Sequence, residues 1–572
     1  MVTSAGAVVL GTSGDGLGFA RLDAGSVVVD RGAIAEDGLA AFVAGTDASR
    51  WIWSDTAHWY PRLLDAGVRV ARCRDLRLCH AILRNSALVA EPDAVRAATV
   101  WDAASTTAET DAAAPPLFDL SGGAEAESVP HDVDAVVAEY RRQREAVRSA
   151  AEHGRLELLC AAESAGALVA AEMRAAGLPW DVAEHERILT EELGQRPAGG
   201  GAPRRMAELA GEVRMHLGDA QASLDAPARL LRSLHRIGVP AQSVSKWELV
   251  KYDHPVIVPL LEYRRLSRLL AANGWAWLDE WVHDGRFRPV YVPAGVVTGR
   301  WASSGGGALQ IPRMLRRAVR ADDGWAFVVA DVAQLEPRVL AGMANDLALA
   351  RAAHGRDLYA GIVDSGAVAT RAEAKVAMLG AMYGATTGES GRLVPRLRRA
   401  YPRAMKLVDE AARTGERGGV VSTWLGRSSP EPSEEWVAAQ RHAAGATGTA
   451  AEQARAQRSA RDHGRFTRNF VVQGTAAEWA LAWLGEVRSR LGALDAVPAS
   501  QAALRSGPAL AMRPHLAFFL HDELIVHTPR CHADAAAEIV REAAASAGRL
   551  LFGGFPIDFP LDLKIAGTAA KQ

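Results

Sequence analysis

The segment LAFFLHDELIVHTP, residues 516–529, constrains the fold more than any other stretch of the chain. Two short apolar runs flank the polar triplet His521-Asp522-Glu523. Each run has the length and residue types of a buried strand rather than a helix. Two strands, 515–520 and 523–527, are therefore expected to fold back on each other with Asp522 at the tip. A plain hairpin turn would favour Asn-Gly or Asp-Gly, so this apex suits a functional acid as well as a simple turn. A second apolar run, 326–330, also ends on a carboxylate, Asp331, and is followed by Gln334, Glu336 and Arg338. A strand-end Asp can project into a cleft, because the sheet already satisfies its backbone. Taken alone, Asp331 reads more simply as the cap of the following helix.

A third segment, RAEAKVAMLGAMYGATTG (residues 371–388), spaces Arg371, Lys375, Leu379 and Tyr383 by four. Each step of four turns about 40° around a helix, so the four share one broad face. That face carries a guanidinium, an ammonium, an apolar chain and a phenol, which suits charged phosphates next to a flat sugar and base. Gly384 follows as a natural helix stop. An ordinary amphipathic surface helix would look similar. Arginines also cluster in runs: 313, 316, 317 and 320; 392, 396, 398, 399 and 403; 455, 458, 461, 465 and 468. Such runs suit a phosphate backbone or a solvated helix face.

Composition narrows the class. The net charge of −2 does not advertise a nucleic-acid binder, and only the distribution of charge leaves room for one. Only six of the 65 basic residues are Lys, so Lys375 stands out where a compact ammonium suits better than a planar fork. The four cysteines are scattered without a Cys-x-x-Cys pair, against a zinc ribbon or a disulfide framework. No apolar run reaches the roughly 18 residues of a membrane span. The N-terminus lacks the look of a signal peptide, so a cytoplasmic protein is expected. At 572 residues the chain should hold two to four domains.

The three segments, in this order and spacing, resemble the polymerase motifs of family A DNA polymerases, the DNA polymerase I type. VVTGRWASS (296–304), ALQIP (308–312), RFTRNFVVQGTAAE (465–478) and LEYRRLSRLL (261–270) resemble further elements of that family. The resemblance covers roughly residues 156–572. It implies an α+β right-hand fold of palm, fingers and thumb, and template-directed addition of dNTPs to a primer end. Asp331 and Asp522, with the backbone carbonyl of Val332, would hold two Mg2+ ions, with Mn2+ as a substitute. Glu523 would be a helpful third acid. Arg371 and Lys375 would meet the triphosphate, with Gln334, Glu336, Tyr359, Leu379 and Tyr383 completing the dNTP site. Glu336 resembles the family's gate against a ribose 2′-hydroxyl. Arg300, Gln310, Arg338, Arg465, Asn469, Gln473 and His521 match DNA-contacting positions. The expected partners are primer-template DNA and dNTPs, with no membrane, for a monomer at the bacterial nucleoid.

The chain departs from the family pattern in places. Leu379 stands where an aromatic is usual, which should alter discrimination against nucleotides lacking a 3′-hydroxyl. Val332-Ala333 replaces Tyr-Ser, and Pro337 replaces Leu. The stretch 428–464 looks lengthened and reads as a loop over 426–450.

The N-terminal 96 residues read as a small α/β unit of ribonuclease H-like, exonuclease type. Strands are expected at 7–11 and 26–30, with helices at 37–44, 55–66 and 75–84. Asp75 resembles the second motif of a 3′–5′ exonuclease. LGTSGD (10–15) lacks the Asp-x-Glu of the first motif, and the third is absent around 139–145. A degenerate, inactive exonuclease is expected. Residues 97–135 read as an acidic linker and 136–572 as the polymerase part, with thumb over 156–284, palm over 285–345 and 465–572, and fingers over 346–464. Two other readings fit parts of the pattern: a single-subunit RNA polymerase, and a catalytically silent DNA-binding protein on the same scaffold. Glu336 and Glu523 favour the DNA branch.

Overall fold

The computed structural model describes residues 6–14, 16–103, 128–304, 306–307, 311–385, 388–445 and 448–570. The chain forms two compact units. The first comprises residues 1–177, 290–305 and 323–566, and the second 178–289, 306–322 and 567–572.

The first unit begins with a five-stranded sheet. Strands Ala7–Ser13, Gly16–Leu22 and Val28–Ile34 run antiparallel, and Arg50–Trp53 and Cys73–Asp75 continue the sheet in parallel from the first. The second strand is not evident in the sequence, because Gly16 and Gly18 weaken any strand reading. It forms because Leu17, Ala20 and Leu22 are buried in the sheet's core. The expected helices appear at Leu39–Gly45, Thr56–Asp65 and Leu76–Leu83. Helix Val133–Ser149 buries Val136, Val137 and Tyr140 in the same core as Val9 and Ile52. The boundary expected at 135/136 thus falls inside a helix that packs on the N-terminal sheet. Gly11 makes that packing possible. A Cβ there would lie 2.6 Å from the His131 carbonyl oxygen and 2.8 Å from Val133 N.

Asp75 is fully buried and caps two helices at once. One carboxylate oxygen accepts from Thr56 N (2.8 Å), the other from Leu78 N (2.9 Å). Burial, then the nearby Asp55 carboxylate, raises its pKa to about 6.

Helix His153–Ala176 and the 42-residue helix Ala450–Leu491 run through the rest of this unit. Where they approach the N-terminal sheet, Glu172 accepts from Arg69, Arg488 and the Tyr60 hydroxyl, and Arg488 also donates to the carbonyls of Val70 and Ala71. Glu172 is buried, yet the two guanidiniums hold its carboxyl down at about 2 against the desolvation penalty.

A second sheet is antiparallel throughout. Its order is His515–Leu520, Glu523–Pro529, Trp325–Val332, Leu561–Ala566. Trp325–Val332 is central and buried at nearly every position, as its unbroken apolar run demands. The helices Ala533–Phe552 and Ala450–Leu491 supply buried faces beside it. Between Trp325–Val332 and His515–Leu520, the first and second strands in chain order, lie the helices Leu335–Ala344, Leu347–Ala353, Leu358–Asp364, Arg371–Tyr383, Gly388–Ala400 and Pro402–Glu416. The expected loop at 426–450 contains a helix, Glu434–Ala444. Ser433 caps it by accepting from Trp436 N (3.2 Å), and the Trp436 ring packs on His463.

The second unit is mostly helical: Val182–Leu193, Arg204–Leu217, Pro227–Arg236, Ile257–Asn273 and Trp275–Trp281, with a small three-stranded sheet. Trp180, His185, Trp277 and Phe287 form its aromatic core. No helix among the described residues is long and apolar enough to cross a membrane.

Candidate active site

The two apolar strands bring the two acids together. Asp331 lies opposite Glu523 in the ladder, and Val332 N donates to the Asp522 carbonyl at 2.9 Å. The turn holding Asp522 is tight, with His521 in the left-handed region at φ +55°. Asp522 is mostly buried. That burial, followed by the negative charge of Asp331, raises its pKa to about 6. Two carboxylates in this relation repel each other unless a proton or a cation lies near both. Glu523 is buried beside them. On the other side of Asp331, Asp562 of the edge strand stands in register, on the same face of the sheet. No sequence pattern had singled out Asp562.

Among the described residues, no three His, Cys, Asp or Glu side chains gather as a closed metal cage. A pair of carboxylates is instead the donor set of a hard cation that keeps water and substrate oxygens as its other ligands. Asp331 and Asp522 fit that group.

A polar bridge runs from the acids to the helix Arg371–Tyr383. Glu336, in the first turn of helix Leu335–Ala344, accepts from Arg300 with one oxygen and from the Tyr383 hydroxyl (2.9 Å) with the other. Burial, then the charge of Glu336, pushes the Tyr383 phenol up to about 12. His521 belongs to the same neighbourhood. Its pKa is lowered by burial and then by Arg300. Gln473 of the long helix accepts from the Thr298 hydroxyl (2.9 Å). Asn469 is part-buried one turn earlier on that helix, and Arg465 is exposed and paired with Asp462.

The helix Arg371–Tyr383 has the expected two faces. Ala374, Ala377, Met378, Ala381 and Met382 are buried, while Arg371, Lys375 and Tyr383 are exposed and Leu379 lies between. Thr370 caps its start, and Gly384, at φ +73°, ends it. Arg371 is held by Asp357 (2.7 Å) and lies over the Tyr359 ring, 5.5 Å from its centroid. Asp357 also accepts from Gln334 (3.1 Å), and Gln334 in turn accepts from Leu358 N. Asp357 thus ties the helix Leu358–Asp364 to both residues. Its importance was not visible in the sequence. Lys375 has no ion-pair partner among the described residues.

Arg338 is a correction. It was expected to touch DNA but is fully buried. Its guanidinium donates to the carbonyls of Ala333, Ala353, Arg356 and Asp558 and to the Asp558 carboxylate. With its donors consumed inside the protein, it braces the fold. Gln310 lies outside the described residues.

Comparisons with known proteins agree on one family. A family model described as "DNA polymerase family A" matches residues 236–568. The chain is 25% identical over 441 residues to "DNA polymerase I, thermostable" of Thermus aquaticus, covering 69% of this chain and 46% of that protein. It is 29% identical over 324 residues to "DNA polymerase I" of Chloroflexus aurantiacus, covering 52% and 31%. The chain thus spans less than half the length of these relatives. Among solved structures, the polymerase domain of Pol1 from M. smegmatis, in complex with DNA primer-template and dNTP, superposes with a TM-score of 0.66 at 18% identity. That match covers 100% of this chain and 96% of the other.

Proposed function

The chain belongs to DNA polymerase family A, and on that premise we propose that it extends a DNA primer with dNTPs on a template. The observation that carries the proposal is the polar bridge of Arg300, Glu336 and Tyr383. It joins the Asp331–Asp522 pair to an exposed helix face bearing Arg371 and Lys375.

Two divalent cations, Mg2+ in the first instance, would lower the barrier to 3′-hydroxyl attack and offset the charge of the departing pyrophosphate. Asp331 and Asp522 would hold them, with the Val332 carbonyl as a further ligand. The chain's own residues do the rest. Arg371, seated on Tyr359 and fixed by Asp357, binds the triphosphate with its direction already set. Lys375 adds a mobile positive charge and a proton for the leaving group. Glu336, held from both sides, bars a 2′-hydroxyl. Tyr383 lies beside the templating base, with Leu379 against the sugar. Arg300, Arg465, Asn469, Gln473 and His521 position the nucleic acid.

The second unit is proposed as the thumb. The N-terminal sheet is proposed as an exonuclease-type domain without nuclease activity, which suits gap filling or repair. Asp75 supports this, since both of its carboxylate oxygens are committed to backbone N–H groups. A mismatched primer 3′ end should stay intact in Mg2+ without dNTPs. Metal-dependent shortening that persists in Asp522→Asn but disappears in Asp75→Ala would overturn the inactive assignment.

The polymerase reading is tested by offering dNTPs and NTPs separately on one primed template. Extension with dNTPs is expected, and Glu336→Ala should raise ribonucleotide use relative to wild type by about tenfold or more. Preferential extension with NTPs by the wild type would place the chain with single-subunit RNA polymerases instead.

A further inference from the structure

The helix Ala450–Leu491 continues well beyond the residues that the site uses. At about 100° per residue, Arg455, Arg458, Arg461, Arg465, Asn469 and Gln473 fall within an arc of about 120°. From Arg455 to Gln473 this stripe is about 27 Å long. The opposite side of the helix is buried, through Ala456, Gly464, Thr467, Phe470 and Val471. Arg455, Arg458 and Arg461 are exposed, and none is paired with a carboxylate among the described residues. The only acid within the stripe, Asp462, is engaged by Arg465.

The stripe is anchored at the site. Arg465 packs against the end of the helix Arg371–Tyr383, where a Cβ on Gly384 would lie 2.8 Å from its Cγ. Gln473 meets Thr298. From Arg465 the row of guanidiniums passes beyond Tyr383 along the outer part of the helix, where Glu434–Ala444 packs through Trp436 and His463. We propose that Arg455, Arg458 and Arg461 form a track for the phosphates of the single-stranded template ahead of the templating base. This rests on the polymerase reading above. A strand that leaves the duplex there carries unshielded phosphates, and the stripe offers regularly spaced guanidiniums to them. No aromatic or large apolar side chain is exposed on this stretch of the helix. Binding therefore reads the backbone and not the base sequence.

The test is the affinity of the whole chain for two labelled primer-templates. One has a long 5′ template overhang, and the other has an overhang ending just past the templating base. The triple variant Arg455→Ala, Arg458→Ala, Arg461→Ala keeps good helix formers on an exposed face, so the fold is retained. Three lost contacts to a single strand lower the salt slope by about 2. Between about 50 and 200 mM salt, the wild type should lose about 20-fold more affinity for the long overhang than the variant does. The short-overhang complex and its extension should be unchanged. Equal salt dependence of the two proteins on the long overhang would overturn the proposal. So would an equal loss by the variant on both substrates, which would place the contacts on the duplex. A wild type that binds but extends neither primer sinks the polymerase reading, whereas a variant that behaves as wild type while both extend sinks the track alone.

Discussion

Asp522→Asn is expected to lower the rate of single-nucleotide addition by about 10³-fold without lowering the melting temperature. The first part follows from charge. Losing one of two carboxylates removes several kcal/mol of cation-mediated stabilisation from the transition state. The second part follows from the same geometry. Asp522 is mostly buried next to Asp331, and burial and that neighbour both disfavour its charge. A neutral amide of the same shape relieves the repulsion, as is common where function opposes stability. Single-turnover kinetics and thermal unfolding in metal-free buffer report the two effects separately. A rate within tenfold of wild type would remove Asp522 from the centre. A collapse of both rate and melting temperature would make it a structural residue.

Arg338→Ala is expected to cost about 3–5 kcal/mol of stability, the range for breaking one half of a buried, hydrogen-bonded charge pair. The substitution strands the carbonyls of Ala333, Ala353, Arg356 and Asp558, and an unmet buried acceptor costs about 1–3 kcal/mol. Arg338→Lys should recover only part of the loss, because one ammonium cannot span acceptors on several sides. Denaturant titration measures both. An unchanged unfolding midpoint for Arg338→Ala, together with weaker DNA binding, would restore Arg338 as a DNA contact.

The acids were legible because local pattern alone places them. An apolar run must be a buried strand, and Asp331 and Asp522 stand where the runs stop. The helix Arg371–Tyr383 was legible for a similar reason, since a spacing of four fixes a face without knowledge of the neighbours. What failed to show in the sequence depends on distant partners. Arg338 looks like a polar helix residue one turn from Gln334, and only Asp558, 220 residues later, reveals it as buried. Asp357 matters through Arg371 and Gln334, which lie 14 and 23 residues away. The strand Leu561–Ala566 is half-exposed at the sheet edge, so it lacks the continuous apolar run that marked its neighbour. The helix Glu434–Ala444 was hidden by Pro430, Pro432 and Gly445 at its borders, although Ser433 already supplied its cap.

A pair of aspartates serving templated synthesis is the central proposal. The most direct measurement offers each dNTP singly to the wild type and to Asp331→Asn, in Mg2+, on four primed templates that differ only in the templating base. The wild type should add the complementary nucleotide in each case, and Asp331→Asn should add none on the same time scale. Addition that ignores the templating base, or addition that Asp331→Asn performs as well as the wild type, would contradict it.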